Sequence, residues 1–121
     1  MLDYDLCMAA TYRCVEAVST LNFDHFGKGG ALIADQLISP VTGGRYPSVH
    51  GENISCVHST GAAKSFDIEK RLPTMDANLK SSPTHYANII QPMFTRCGIG
   101  LAILPGSDNM LHTVYVQFYA K

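Results

Sequence analysis

The chain has 121 residues, long enough for one domain with its own core, and 46% of them are hydrophobic. Charged residues make up only 16%, below the roughly 25% usual for globular chains, a composition that folds and leaves apolar surface for a partner. Nine basic and ten acidic side chains leave a net charge of −1; with Lys70-Arg71 as the only short basic run, phosphate-driven nucleic-acid binding and a polybasic membrane anchor are excluded, and no run approaches the roughly 18–20 apolar residues of a membrane span.

The start, Met1-Leu2-Asp3-Tyr4-Asp5, is acidic and lacks the apolar run of a secretory leader. Two readings stay open: a cytosolic chain, or one whose leader has been removed. Asp3 to Thr20 reads as a helix, because Leu6, Ala9, Ala10, Cys14, Ala17 and Val18 recur at three- and four-residue spacing. Asp3 is its expected N-cap, with Asp5 in the first turn. Asn22-Phe23-Asp24-His25 is the helix exit, Gly27, Gly29 and Gly30 form a loop, and Ala31 to Ile38 is a candidate short helix. From Ser39 to Gly51 the Pro and Gly punctuation predicts a long irregular loop.

Glu52 to Val57 is read as a short extended or helical piece. Ser59 to Lys80 is expected to be largely helical, broken or kinked at Pro73. Ser82 at N-cap and Pro83 at N1 open a further helix that stops near Pro92. Cys97–Leu104 and Leu111–Ala120 are β-rich and flank a Pro105-Gly106-Ser107-Asp108-Asn109 turn, which predicts an antiparallel hairpin. In its second strand Val114, Val116 and Phe118 face one way and Tyr115, Gln117 and Tyr119 the other. Helices packed on a small antiparallel sheet make an α+β fold in a single domain spanning residues 1–121.

Cys7, Cys14, Cys56 and Cys97 contain no CxxC pair, which argues against zinc ribbons and thioredoxin-type redox sites. On a helix, Cys7 and Cys14 stand about 10 Å apart along the axis, beyond the roughly 7 Å Cα separation a disulfide tolerates. All four are read as small buried hydrophobes, with two disulfides as the alternative. His50, His58 and His112 are read as surface histidines. Ser55 lacks a GxSxG elbow and so does not mark a serine hydrolase.

Several segments follow one another in a definite order: Leu6-Cys7-Met8-Ala9-Ala10, Phe23-Asp24-His25, Gly51-Glu52-Asn53-Ile54, Ser82-Pro83-Thr84-His85 with Asn88-Ile89, Gly98-Ile99-Gly100-Leu101-Ala102, and Tyr115-Val116-Gln117-Phe118. This series resembles the CAP superfamily (the cysteine-rich secretory, antigen 5 and pathogenesis-related 1 group, or SCP-like domains), above all its bacterial single-domain members. The resemblance implies a three-layer α-β-α sandwich with a cleft lined by His25, Glu52 and His85, secretion from the cell, and in related domains a divalent metal such as Zn²⁺. The chain departs from the family in three places. Gly30 stands where a second acidic residue is usual, with Asp35 as its nearest substitute. Leu79 replaces a tryptophan. The family's first helix, ahead of the Leu6 segment, is expected to be missing, which leaves apolar surface for a homodimer to cover.

Two imidazoles and a carboxylate are sufficient ligand types for zinc, and the same trio can act as acid and base; His50 is the first substitute ligand. The expected function is a secreted binding or interaction module whose His/Glu-lined cleft takes a small ligand, lipid, peptide or divalent metal. The alternatives are a hydrolase, metal-dependent or acid/base, with Glu52 as base beside the two histidines, and a non-catalytic assembly domain.

Overall fold

The structure, a computed structural model, describes residues 1–60 and 68–121. Its elements run α1 (Tyr4–Thr20), α2 (Ile33–Val41), β1 (Gly51–Thr60), α3 (Ile68–Ser81), α4 (Pro83–Ile90), β2 (Arg96–Pro105) and β3 (Met110–Ala120). The three strands form one antiparallel sheet in the order β1-β3-β2. The latest strand in sequence is therefore the central one, and β1 and β2 are both edges.

Period-2 alternation along β3 splits the core in two. Val114, Val116, Phe118 and Ala120 pack with Leu6, Ala9, Ala10, Cys14 and Ala17 of α1 and with Ala34 and Ile38 of α2. On the other face Tyr115 joins Met75 and Leu79 of α3, with Ile89 of α4 packed against them. The result is an α+β sandwich with helices on both sides of the sheet. Leu79, expected in place of a family tryptophan, is a core residue of the second face.

α1 begins as expected: the Asp3 carboxylate accepts from the amide of Leu6 at 3.2 Å. It lies very close to β2. An ideal β-carbon on Gly98 would stand 2.1 Å from the carbonyl carbon of Leu6, and one on Gly100 would stand 2.3 Å from that of Ala10. Only glycine permits this approach of helix backbone to strand. The helix ends with Leu21 in the left-handed region (φ 52°), and the amide of Asn22 reaches back to the carbonyl of Ala17, a Schellman-type finish without the usual glycine.

The segment 52–57 takes the extended of its two readings, within a longer strand whose length is set by pairing with β3 from Gly51↔Tyr119 to Thr60↔Met110; no feature of β1 alone reveals a partner so far along the chain. Two local expectations need correction. The helix expected from Ser59 does not include Ser59 and Thr60, which are held in that ladder; it is present over Ile68–Ser81, and residues 61–67 lie outside the described residues. α3 runs through Pro73 without ending: proline removes one amide donor, and the packing of Met75 and Leu79 downstream outweighs that loss. Elsewhere α2 extends past the expected Ile38 to Val41, and Pro83 occupies the first turn of α4 as predicted.

All four cysteines are free thiols. Cys14 alone is fully buried; Cys7, Cys56 and Cys97 are partly exposed. Asp3 anchors the N-terminal end of the sheet: its carboxylate accepts from Tyr46, Arg45 and Arg96. Burial opposes its ionisation, but these bonds and the Leu6 amide prevail and hold its pKa at about 2.

Candidate functional site

The site is built on Arg13, which lies in the apolar stripe of α1 between Ala10 and Cys14 and has no exposed surface. Every arm of its guanidinium is engaged. Nε donates to Glu52 Oε2 at 3.1 Å, Nη1 to Glu16 Oε2 at 2.9 Å, and Nη2 to the carbonyl of Asp24. A buried guanidinium is tolerated only when paired in this way. Glu52 sits on the same face of β1 as Ile54, the face that meets α1. Its second oxygen, Oε1, lies 2.6 Å from Nδ1 of His25. The structure thus brings His25 and Glu52 into direct contact through a link that starts in the core.

The arm that carries His25 is fixed by local bonds. The Asn22 side chain accepts from the amide of Asp24 and donates to the carbonyl of Phe26. The Asp24 carboxylate accepts from the His25 amide, and the His25 carbonyl accepts from the amide of Ile33 at the start of α2. The hydrogen bond to Glu52 raises the pKa of His25 above its ordinary value against the opposing effect of burial, and the charges of Glu52 and Asp24 add to the rise. The charged form of His25 is thereby favoured beside Glu52.

His85 is placed differently. It belongs to α4, on the opposite side of the sheet, and its position is set by Asn53. That fully buried side chain donates to the His85 carbonyl and to Oε1 of Gln117, each at 3.0 Å. Asn53 Oδ1 accepts from Asn88 at 2.9 Å, and Gln117 in turn bonds the hydroxyls of Tyr115 and Tyr119. Gly51 leaves room for this arrangement: a β-carbon there would stand 3.1 Å from Asn88 Oδ1 and from the Phe94 ring. His85 Nδ1 pairs with Ser82 Oγ at 2.9 Å, so the Ser82 hydroxyl binds the imidazole and makes no helix cap bond. Burial, and then the charge of His25, lower the pKa of His85. The two histidines are pushed in opposite directions across edge strand β1.

A hollow of about 250 Å³ opens beside β1, lined by His25, Phe26, Leu32, Ala34, Asp35, Val49, His50, Gly51 and Glu52. His85 is not in its wall. Asp35, the expected substitute acid, is turned to the loop, where its carboxylate accepts from the amide of Val49 at 2.8 Å. His50 is exposed and accepts weakly from the amide of Lys121 at 3.4 Å. Among the described residues no three His, Cys, Asp or Glu side chains are grouped so that they could hold a metal ion. In this arrangement His25 Nδ1 and both oxygens of Glu52 are engaged with each other and with Arg13.

Sequence reasoning missed Arg13. The signal was there: a charged residue in phase with Leu6, Ala9, Ala10 and Ala17 on the buried stripe. It also misplaced His112, read as a surface residue but only 2% exposed.

No protein-family model matches the chain, and no characterised protein matches it in sequence. Among solved structures the fold is similar to an outer surface protein from Borrelia burgdorferi, with a TM-score of 0.57 over 99% of this chain and 76% of the other, at 16% sequence identity. At that identity the likeness speaks for the fold.

Proposed function

We propose that the chain is a CAP-type binding module that works outside the cell, and that its hollow beside β1 takes a small amphiphile with an acidic head. The observation that carries this reading is a histidine whose pKa is raised by Glu52, in the wall of a hollow that also presents Phe26, Leu32, Ala34 and Val49. An imidazole whose protonated form is favoured, set beside apolar surface, suits a ligand with a short apolar body and an anionic end. The ordered motif series supports the family reading, and the name of the similar spirochaete protein supports the location. No helix among the described residues is long and apolar enough to cross a membrane.

The direct test is calorimetric titration with octanoate and with octanol. Octanoate is expected to bind more tightly, and His25→Ala to weaken it by at least about tenfold, the loss of one charge-assisted bond. Equal binding of acid and alcohol, or binding untouched by His25→Ala, overturns the reading. Titration with Zn²⁺ belongs in the same series: uptake lost in both His25→Ala and His85→Ala would favour a metal centre instead.

A second reading, acid/base hydrolysis, draws on the direct contact of Glu52 with His25, a carboxylate and an imidazole that can serve as base and acid. Ester or peptide turnover abolished by Glu52→Gln would support it, and turnover retained in that variant would remove it. A third, assembly as a homodimer, draws on the apolar groove along the outer stripe of α1, lined by Tyr4, Cys7, Met8, Thr11, Tyr12 and Val15. Light scattering on wild type and Tyr12→Lys decides it.

A further inference from the structure

A second cluster of titratable side chains lies near the far end of the sheet from Glu52. His58 of β1 and His112 of β3 face each other in register, with their Nδ1 atoms 2.6 Å apart. The other nitrogen of His112, Nε2, lies 2.9 Å and 3.0 Å from the two oxygens of Asp108 in the β2–β3 turn. Phe23 closes the cluster, with its ring centroid 4.7 Å from that of His58 and 5.2 Å from that of His112. His112 is buried and His58 is exposed.

The geometry fixes the proton inventory. A carboxylate only accepts, so His112 Nε2 carries a proton. Two nitrogen lone pairs repel at 2.6 Å, so one proton must lie between the Nδ1 atoms. With that single shared proton the pair is stable whether it is neutral or carries one positive charge, which Asp108 balances. A second charge puts N–H against N–H, and the contact fails. Asp108 is the charged group bearing on the pair among the described residues; Phe23 and Gly106 supply neutral walls. Gly106 is needed for this arrangement, because a β-carbon there would stand 2.5 Å from Asp108 Oδ1 and 2.8 Å from His112 Nε2.

We infer that His58, His112 and Asp108 form an acid-opened clasp that holds the Phe23 arm, and through it the backbone leading into His25. When both imidazoles are charged, exposed His58 swings into solvent while buried His112 stays with Asp108. Phe23 then loses one of its two ring partners. Phe23 lies two residues before His25 and one before Asp24, whose carbonyl is held by Arg13, so the arm loosens next to the hollow. Burial and the neighbouring His112 resist the added charge and lower the pKa of His58. A histidine shifted this way destabilises the closed form as pH falls through the ordinary histidine range.

The test is nitrogen-resolved imidazole NMR with amide hydrogen exchange, followed from about pH 7.5 down to about pH 4.5. At neutral pH a coupling across the Nδ1–H···Nδ1 bond is expected. On acidification that coupling should vanish, and exchange at Phe23 and Asp24 should rise at least about threefold relative to the amides of Ala10 and Cys14. His58→Gln should abolish this acid response, and His25→Ala should leave it in place, which separates the clasp from the titration of His25. An acid response unchanged in His58→Gln overturns the proposal, as does the absence of the coupling. Zn²⁺ that stabilises the wild type at neutral pH but not His58→Gln also overturns it, by showing that the pair holds a metal.

Discussion

Arg13 and Glu52 meet at 3.1 Å where neither would be stable alone: the side chain of Arg13 has no exposed surface and that of Glu52 only 7%. The pair fixes the orientation of His25 from below, because the guanidinium holds one carboxylate oxygen and the imidazole the other.

Removing the carboxylate should therefore cost stability as well as ligand contacts. Glu52→Ala leaves a buried guanidinium short of a partner and is expected to cost about 3–5 kcal/mol. Glu52→Gln keeps an acceptor oxygen and should cost about 1–3 kcal/mol. Urea denaturation of the two variants checks the order, and equal stability of Glu52→Ala and wild type would refute the role assigned to the pair.

The two site histidines should titrate on opposite sides of the ordinary imidazole value. The pKa of His25 is raised, so its contribution to stability is fully present below its unfolded pKa and is lost as pH rises through the higher folded value. The pKa of His85 is lowered, so neutral His85 is favoured, and stability falls as pH drops through its unfolded value. NMR titration of the ring protons reads both, and Glu52→Gln should bring the His25 midpoint down.

The glycines of β2 are expected to resist any substitution. Gly98→Ala and Gly100→Ala push a methyl into the α1 backbone, which cannot yield as a side chain can, and each should cost about 3 kcal/mol or more. Gly29 has open space around it and a positive φ of 89°, so Gly29→Ala should cost only about 1–2 kcal/mol. Thermal melts of the three variants give the comparison.

Much of the fold was legible in the sequence because local chemistry decides it. Apolar spacing and Asp3 mark α1, Pro83 marks the start of α4, and the turn residues from Pro105 to Asn109 mark the hairpin. What stayed hidden depends on partners far along the chain. The full length of β1 follows only from its ladder with β3, and the burial of His112 follows from Asp108, His58 and Phe23 closing around it. At the site, His25 and Glu52 were named from motif order and do meet. The part played by Arg13 is a matter of three-dimensional pairing, although its place in the buried stripe was readable.

The thiols provide an independent check on packing. Burial pushes the pKa of Cys14 up to about 12 and that of Cys56 to about 11. Both should stay unlabelled by iodoacetamide at neutral pH in the folded chain and react on unfolding. Fast native labelling at Cys14 would show that the α1–sheet interface opens readily.

The strand order has a consequence for how the site comes into being. The β2–β3 hairpin closes over a short turn, whereas β1 must find β3 across α3 and α4, and contacts between distant parts of a chain form slowly. Glu52 and Asn53 ride on that late strand. Until it docks, Arg13 has no carboxylate from β1 and His85 no amide to grip its carbonyl. The hollow is thus expected to assemble late, and the His25–Glu52 contact is a natural marker of that step in refolding experiments.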